Sequence, residues 1–494
     1  MIKNILKINL LVLLMMVAAS FNAYSSDTGF AELVRSALEN NPDLRAADLD
    51  LSSEIMSYES QRASVLPGVD FTTDTGNNPL YRYSDANEYS TSSAPTRYNR
   101  HKIGGGLSLG AALPTGGSLS LTGAGSLDLS LQDSDGAEWN YLVSPAVSLY
   151  LRQPLFVDRI SGAPVRFDNL RQNDELAAAG VEIAELSRSA LENNLIILIA
   201  STAAVINSLK NSSNLLEQRI LLAEKRLELA LADEAAGRIS SLDRLSEELQ
   251  INRLKETEIE LEYQIRIALN DMKQLTGKDD FNGGYVNISG IGLNPVNDIY
   301  PAGSFNVQTT AVSTRITELS ASSIPTGSEP VFEVSALYRR SDSDSASSFA
   351  DAFDEAGAAE MDLSVSLSVS LPVFDWGETK KLRESEKHSL SAAGERLRSA
   401  EEAAQLATAA AEENLKLIDE KIELLEKSLL YDKTLLDREL VRFDAGLSSE
   451  AAVETIKVDL LDREYSIKQL KEERIIALLD LYNTGGIELQ GLFE

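Results

Sequence analysis

The sequence predicts an α+β membrane protein, in which a β-barrel is continued by a barrel of long coiled-coil helices. Three observations lead to this prediction. Several segments alternate strictly between apolar and small polar residues, the pattern of strands that face lipid on one side and water on the other. Other segments carry apolar residues at steps of three and four over dozens of positions, as coiled-coil helices do. The two kinds of segment recur in the same order in each half of the chain.

The second half of the chain repeats the pattern of the first. Leu363–Phe374 is an alternating strand that ends in a Pro and a Phe, like Val147–Phe156, and a long helical pattern follows each of them. Gly446 follows Gly237 by 209 positions (446 − 237). A further match, 208 positions apart (484 − 276), is Thr276-Gly277 with Thr484-Gly485. These matches predict an internal two-fold repeat of a strand and a long helical hairpin.

The first residues have the composition of a secretory signal peptide. Lys3 and Lys7 precede an apolar run, Ile8–Val17. This run is short for a membrane span, so a retained anchor helix is the weaker alternative. No later stretch reaches about 18 consecutive apolar residues, so a mature protein that enters a membrane would do so as a closed β-barrel. The predicted divisions are a signal peptide at 1–25, a first repeat at 26–277, a linker at 278–304 and a second repeat at 305–494.

The charge of the chain restricts its partners. With 76 acidic and 45 basic residues the formal net charge is −31, which repels nucleic acid and anionic lipid surfaces. Acids that line a lumen would favour the passage of cations, and the alternative is that most of them form a solvated surface. The chain has no cysteine, so disulfides and a lipid-modified cysteine are excluded.

The strands are predicted from alternation and from turn residues. Residues 76–100 are polar and predict an exposed loop, and residues 341–360 predict a second, acidic one. The alternation alone fits a membrane strand and a half-buried strand of a soluble sandwich equally well. The predicted strands are Val69–Thr75, Leu107–Leu113 and Ser118–Gln132 joined by a Gly-rich turn, Val143–Arg152, and Leu363–Leu371.

The helices favour the membrane interpretation. Val165–Ala235 predicts one helix of roughly 70 residues, on the order of 100 Å long, which must lie against other long helices because it cannot bury itself in a compact domain. Asp27–Ala63 predicts a helix interrupted near Pro42, and Phe305–Ser323 predicts a shorter one. Seams of apolar residues follow in the remaining helices, for example at Leu261, Ile265, Ala268, Met272 and Leu275, and at Leu415, Ile418, Ile422, Leu425 and Leu429.

The order of several short motifs resembles the TolC family of outer-membrane efflux ducts. Each motif is weak alone, and their duplicated order is specific. They are Asn40-Asn41-Pro42-Asp43-Leu44, Leu66-Pro67, Gln153-Pro154-Leu155-Phe156, the segment from Leu371 to Gly377, the turns at Gly237 and Gly446, and Leu275-Thr276-Gly277. The resemblance implies a homotrimer whose strands form one barrel in the outer membrane and whose helices form a periplasmic tunnel. Family members usually offer two strands per half, whereas the first half of this chain offers up to four.

The resemblance also implies where the functional sites lie. The two hairpin turns would dock a periplasmic adaptor (membrane fusion) protein, which connects the duct to an inner-membrane RND or ABC pump. The residues just after the turns would narrow the tunnel entrance, often with acids. In the first half this acid is Asp243, whereas the corresponding position in the second half is Ala452. Surface acids of an acidic protein are the alternative. The predicted docking residues are Gly237, Ser240, Gly446 and Ser449, and the predicted aperture acids are Asp243, Glu450 and Glu454, with Arg238, Arg244 and Arg442 as basic partners.

These observations predict the outer-membrane channel of a tripartite efflux or type I secretion system. The alternative is an exported coiled-coil structural protein or adhesin, which would need the helices but not the duplicated strands. An enzyme is a poor fit: His101 and His388 are the two histidines, and Gly104–Gly106 lies in a strand context. We predict no cofactor and no metal site. The cargo cannot be read from the sequence.

Overall fold

The computed structural model describes residues 29–63, 66–72, 82–88, 96–113, 117–133, 138–154, 165–278, 284–288, 299–322, 331–341, 345–346, 351, 360–370 and 376–493. The predicted signal peptide therefore lies outside the described residues, as do Leu155-Phe156 and the segment 371–375. Two compact units are present. The helical unit comprises the described parts of Met1–Leu51, Ile183–Val312 and Gly394–Glu494, and the sheet unit those of Ser52–Glu182 and Ser313–Ala393.

The helices include two long hairpins, one in each half of the chain. The first hairpin pairs a helix of 71 residues with one of 36, and the second pairs 67 with 35. In chain order the helices are α1 (Phe30–Asn40), α2 (Pro42–Ala63), α3 (Val165–Ala235), α4 (Ser241–Thr276), α5 (Phe305–Ser322), α6 (Glu378–Asp444) and α7 (Glu450–Thr484), with 3₁₀ turns at Pro301–Gly303 and Gln490–Leu492.

The break between α1 and α2 lies where the sequence predicts it. Pro42 disfavours a helical conformation at Asn41, which is extended. The Asn41 side-chain oxygen then accepts hydrogen bonds from the backbone N–H groups of Asp43 (2.9 Å) and Leu44 (3.1 Å) and caps α2. Proline at the first position of α2 costs no hydrogen bond, since that N–H has no partner in a helix.

The main core of the helical unit gathers segments that are far apart in the sequence. Its buried residues come from α1, α3, α4, α7, the segment 284–288 and Leu489. The backbone around Gly29 and Asn287 forms a parallel bridge, and the Ser36 hydroxyl donates to the carbonyl of Thr276. Val286 and Ile288 of the predicted linker thus belong to the core. Among the fully buried side chains are Leu33, Ile196, Ile199, Ile206, Met272, Ile288, Leu479 and Tyr482.

Two different kinds of contact hold α7 between its neighbours. Apolar residues of α3 and α7, including Leu215, Leu222 and Val458, form a small core of their own. Two ion pairs, Arg219–Asp462 (3.4 Å) and Lys225–Glu450 (3.0 Å), also join these helices. The described polar contacts between α6 and α7 are ion pairs. They are Asp419–Arg474 (2.6 Å), Glu426–Lys471 (2.8 Å), Asp432–Arg463 (3.1 Å) and Lys433–Glu464 (3.5 Å).

Of the described helices, α3 alone contains a window long and apolar enough to cross a membrane by length and composition. Its apolar residues Leu195, Ile199 and Ile206 form part of the helical core. We therefore assign α3 to that core, in agreement with the coiled-coil pattern of its sequence.

The described strands of the sheet unit form one antiparallel sheet. Its order is β1-β3-β4-β5-β6-β8, with β2 paired to β3 and β7 paired to β5. The strands are β1 (Gly68–Thr72), β2 (Arg82–Glu88), β3 (Thr96–Ala112), β4 (Ser118–Asp133), β5 (Glu138–Pro154), β6 (Val331–Ser341), β7 (Ser345–Ala346) and β8 (Glu360–Ser370).

The prediction of a loop at residues 76–100 is wrong for its described parts. Arg82–Glu88 forms β2 and pairs in register with the first residues of β3. The rings of Tyr83 and His101 lie 5.1 Å apart on this pair. Both strands are polar on both faces here, so the alternation that signals a strand is missing. The sequence also did not predict β6, and β7 lies inside the predicted acidic loop 341–360.

Candidate functional site

The turn of the first hairpin is a tight helix C-cap around a left-handed glycine. Gly237 has φ +69°, a conformation that glycine adopts without strain. The N–H of Arg238 donates to the carbonyl of Asp233 (2.8 Å), and that of Gly237 to Glu234 (2.9 Å). A side chain at Gly237 would meet no atom within 4 Å, so the tip of the turn is open.

The helix that leaves this turn begins with a capping box. The hydroxyl of Ser240 accepts from the backbone N–H of Asp243 (3.3 Å), and a carboxylate oxygen of Asp243 accepts from the N–H of Ser240 (3.0 Å). The Ser240 hydroxyl also donates to that carboxylate (2.8 Å). These hydrogen bonds satisfy donors that the first turn of a helix leaves unpaired.

The turn of the second hairpin has the same backbone design. Gly446 has φ +71°, the N–H of Leu447 donates to the carbonyl of Arg442 (2.8 Å), and the N–H of Ala452 donates to the hydroxyl of Ser449 (3.3 Å). Because Ala452 has no carboxylate, the reciprocal half of the capping box is missing. The four predicted docking residues thus lie at two equivalent, open turns.

Apolar side chains surround both turns and are exposed in the single chain. Leu242 is 74% exposed on α4, and Val441 and Leu447 are each 70% exposed beside the second turn. These three side chains lie at the ends of the hairpins, and most of their surface is uncovered in the single chain. The tips combine this apolar surface with the carboxylates described next, and a partner protein can use both.

Each of the three predicted aperture acids already has a partner within the chain. Asp243 closes the capping box, and the hydrogen bonds from Ser240 lower the pKa of its carboxyl group. Glu450 forms an ion pair with Lys225 of α3 (3.0 Å), and Glu454 with Lys457 one turn along α7 (3.1 Å). No ion pair or hydrogen bond joins Asp243 to Glu450 or Glu454 in the described structure of one chain.

The three arginines predicted to neutralise these acids pair with other residues. Arg244 binds Glu234 (2.8 Å) and Glu248, Arg238 binds Asp233 (3.3 Å), and Arg442 binds Glu439 (3.2 Å). Within one chain none of the three arginines pairs with an aperture acid, and their predicted role at the closed gate of a trimer stays a prediction.

A buried polar cluster in the helical unit was not predicted. Asn207 of α3 is fully buried; its amide nitrogen donates to the carbonyl of Val286 (2.8 Å) and to a carboxylate oxygen of Glu472 (2.9 Å), and its oxygen accepts from the N–H of Val286 (3.0 Å). This arrangement fastens segment 284–288 to α3 and α7. Lys210 and Lys468 lie over the ring of Tyr285, at 5.3 and 4.5 Å.

Glu472 makes the stability of this region depend on pH. Burial raises the pKa of its carboxyl group from 4.5 to about 7, although the hydrogen bond from Asn207 and the charge of Lys468 act in the opposite direction. The pKa of this group is higher in the folded than in the unfolded protein. Its contribution to the free energy of unfolding is therefore fully present below about pH 4.5 and is lost as the pH rises through about 7.

We therefore expect Glu472→Gln to stabilise the protein at pH 8, by about 2–3 kcal/mol, and to leave it nearly unchanged near pH 4.5. Thermal unfolding followed by helical circular dichroism at the two pH values measures this difference. Glu473→Gln at the neighbouring position is the control and should show no such pH dependence. Equal effects of Glu472→Gln at both pH values would contradict the assignment.

Comparison with known proteins supports the fold directly. A sequence profile of the outer membrane efflux protein family matches residues 325–486. CusC aligns over 94% of this chain and 93% of its own, with 13% identity and a TM-score of 0.64. The CmeC outer membrane channel of Campylobacter jejuni aligns over 94% and 87%, with 14% identity and a TM-score of 0.62. The chain has a TolC-like fold.

A third TolC-like structure, the outer membrane protein VceC of Vibrio cholerae, aligns over 92% of this chain and 96% of its own, with 13% identity and a TM-score of 0.60. No curated protein sequence matches the chain significantly. At these identities the solved structures establish the fold. The resemblance predicted from the sequence is confirmed for the fold, and the outer membrane, where we predict the protein to lie, is named in the family description and in that of VceC.

Proposed function

We propose that the protein is the outer-membrane channel of a tripartite efflux or type I secretion system and works as a homotrimer. In this proposal the sheets of three chains close into one barrel, and the helical hairpins of the two sequence repeats form a periplasmic tunnel. The adaptor protein docks on the turns at Gly237 and Gly446, with Ser240 and Ser449 behind them. An inner-membrane pump of the RND or ABC type delivers the substrate.

The observation that carries this proposal is a row of apolar side chains across the sheet. The cross-strand register aligns one residue from each of six strands, namely Val69, Leu109, Leu121, Leu149, Tyr338 and Leu363. The five aliphatic members are between 39% and 68% exposed in the single chain. The adjacent row, on the opposite face, is polar throughout, consisting of Asp70, Ser108, Thr122, Ser148, Arg339 and Asp362.

A soluble sandwich would cover the apolar face of such a sheet with a second layer. Here the apolar face stays exposed on every strand of the path, which suits contact with lipid, and the polar face suits a water-filled lumen. A coiled-coil adhesin needs no such sheet. CmeC is an outer membrane channel and VceC an outer membrane protein, and we extend that role to this chain.

The proposal is tested by extracting the protein from membranes. We expect it to need detergent and then to migrate as a trimer that dissociates on heating, with a circular dichroism spectrum rich in helix. In planar bilayers the trimer should conduct. A monomer released from the periplasm without detergent would contradict the proposal and would favour the adhesin alternative.

The aperture acids give a further test of the channel. If Asp243, Glu450 and Glu454 of three chains crowd the tunnel entrance, their charge should favour cations and bind divalent cations that block current. We expect Asp243→Asn, Glu450→Gln and Glu454→Gln together to relieve this block from the periplasmic side and to reduce cation selectivity. These changes keep the hydrogen-bonding side chains, so the cap at Ser240 is disturbed little.

The matched control for these substitutions is the pair Glu402→Gln and Glu423→Gln on α6. Both acids form exposed ion pairs one helical turn away, with Arg398 and Lys427. The control should leave the block and the selectivity unchanged. If the triple variant is blocked as strongly as the unaltered channel, the three acids face outward and the constriction lies elsewhere.

A further inference from the structure

The sheet contains more strands than its resemblance to other ducts implies. In the described residues β6 and β7 pair with one continuous stretch of β5, because Ser341 lies opposite Ala146 and Ser345 opposite Leu142. We therefore count β6 and β7 as one strand of the sheet. In the same way β1 and β2 both lie along one side of β3. The sheet is therefore a meander of six strands, where two strands per half would give four.

The additional strands are β3 and β4, and they belong to the wall of the sheet. They lie between β1 and β5, which they join by continuous ladders. The register also places their side chains in the apolar row, with Leu109 and Leu121 between Val69 and Leu149. If the β3–β4 hairpin lay outside the barrel wall, β1 would pair directly with β5, and the side chains of β3 and β4 would not extend this row.

The two edges of the meander are β1 and β8. Within the described part of the chain neither strand has a partner on its outer side. Unpaired backbone groups are costly in lipid, so a membrane sheet must close. Because six is an even number, β1 and β8 run in opposite directions, and β8 of one copy can pair with β1 of the next without breaking the antiparallel alternation.

We infer that residues 96–133 are a two-stranded insertion in the barrel wall, and that β1 and β8 of neighbouring copies pair so that three chains of six strands each enclose an eighteen-stranded barrel. The inference rests on the proposed trimeric channel. Barrel diameter grows roughly linearly with strand number, so this barrel is about half again as wide as one of twelve strands.

Crosslinking tests this inference without interference, because the chain contains no cysteine. Asp70→Cys on β1 would be combined in turn with Ser364→Cys, Ser366→Cys or Ser368→Cys on β8, which covers three registers on the polar face. We expect a short thiol crosslinker to give covalent dimers and trimers with at least one pair. The control is Ser108→Cys with Thr122→Cys, which face each other within one chain and should give only a crosslinked monomer.

A fourth pair, Asp70→Cys with Ser148→Cys, discriminates between the two barrels. In the six-stranded meander these residues are separated by β3 and β4, at three strand spacings or about 14 Å, beyond a short crosslinker. If the hairpin stood outside a twelve-stranded wall, they would be neighbours and would crosslink within one chain. That result, or a heat-sensitive trimer with no adduct at any β8 position, overturns the inference and leaves the proposed function intact. Failure of all variants and of the unaltered protein to form a trimer would instead count against the proposed function.

Discussion

Leu367→Arg should prevent most of the protein from assembling in the outer membrane, whereas Ser368→Arg at the next position should be tolerated. Leu367 is 62% exposed on β8 and lies on the apolar face of the sheet. An arginine that faces lipid near the middle of the membrane costs about 2–4 kcal/mol, and a trimer carries this cost three times. Val369→Arg should act in the same direction.

Ser368 is the matched control because it lies on the same strand with its side chain on the opposite face. It pairs in register with Glu333 of β6, so an arginine there meets an acid rather than lipid. The amount of heat-sensitive trimer in outer-membrane fractions measures both variants. Equal loss from Leu367→Arg and Ser368→Arg would argue against a membrane barrel.

Gly446→Pro should abolish export and leave the trimer intact. Proline fixes φ near −65°, whereas Gly446 has φ +71° and donates its N–H to the carbonyl of Phe443 (2.9 Å). The substitution therefore destroys the turn and one of its hydrogen bonds. The damage should stay local, since apart from the two chain neighbours no atom lies within 4 Å of a Cβ added at this position. Gly237→Pro should have the same effect at the first turn.

The control for the turn is Gly446→Asn, because asparagine tolerates the left-handed conformation better than other residues with a side chain. We expect it to retain most export. Adaptor crosslinking and efflux of a fluorescent substrate measure docking and transport separately. Normal adaptor crosslinking and export in both proline variants would show that the adaptor binds elsewhere.

The sequence predicts the helices well because their pattern is long and local. The limits predicted for α3, Val165 and Ala235, are those observed, and both hairpin turns lie at the predicted glycines. The Thr-Gly match at the helix ends needs one correction. Gly485 is right-handed, and the left-handed glycine that corresponds to Gly277 is Gly486, where a side chain would collide with the backbone of Gly303. This restores a spacing of 209 (486 − 277) and supports the proposed repeat.

What the sequence did not predict depends on contacts between distant residues. β2 is polar on both faces and is recognised only from its pairing with β3. Glu472 stands in a helix full of charged residues, and only the fold shows that it is buried against Asn207. The ion pair of Glu450 likewise depends on α3 lying beside α7, which places Lys225 opposite Glu450.

The composition of the helical core constrains how the chain can be exported. Phe30 and Phe493 pack edge to face with ring centroids 5.4 Å apart, and Asn193 accepts a hydrogen bond from the backbone of Leu489. The core therefore stays incomplete until the C-terminal residues that pack into it are present. If the chain is exported from its first residue onward, as the proposed function requires, it cannot complete this core until its C-terminal residues have crossed the inner membrane. Until then the apolar residues of α1 and α3 in this core lack their C-terminal partners, and exposed apolar surface of this kind is prone to aggregation.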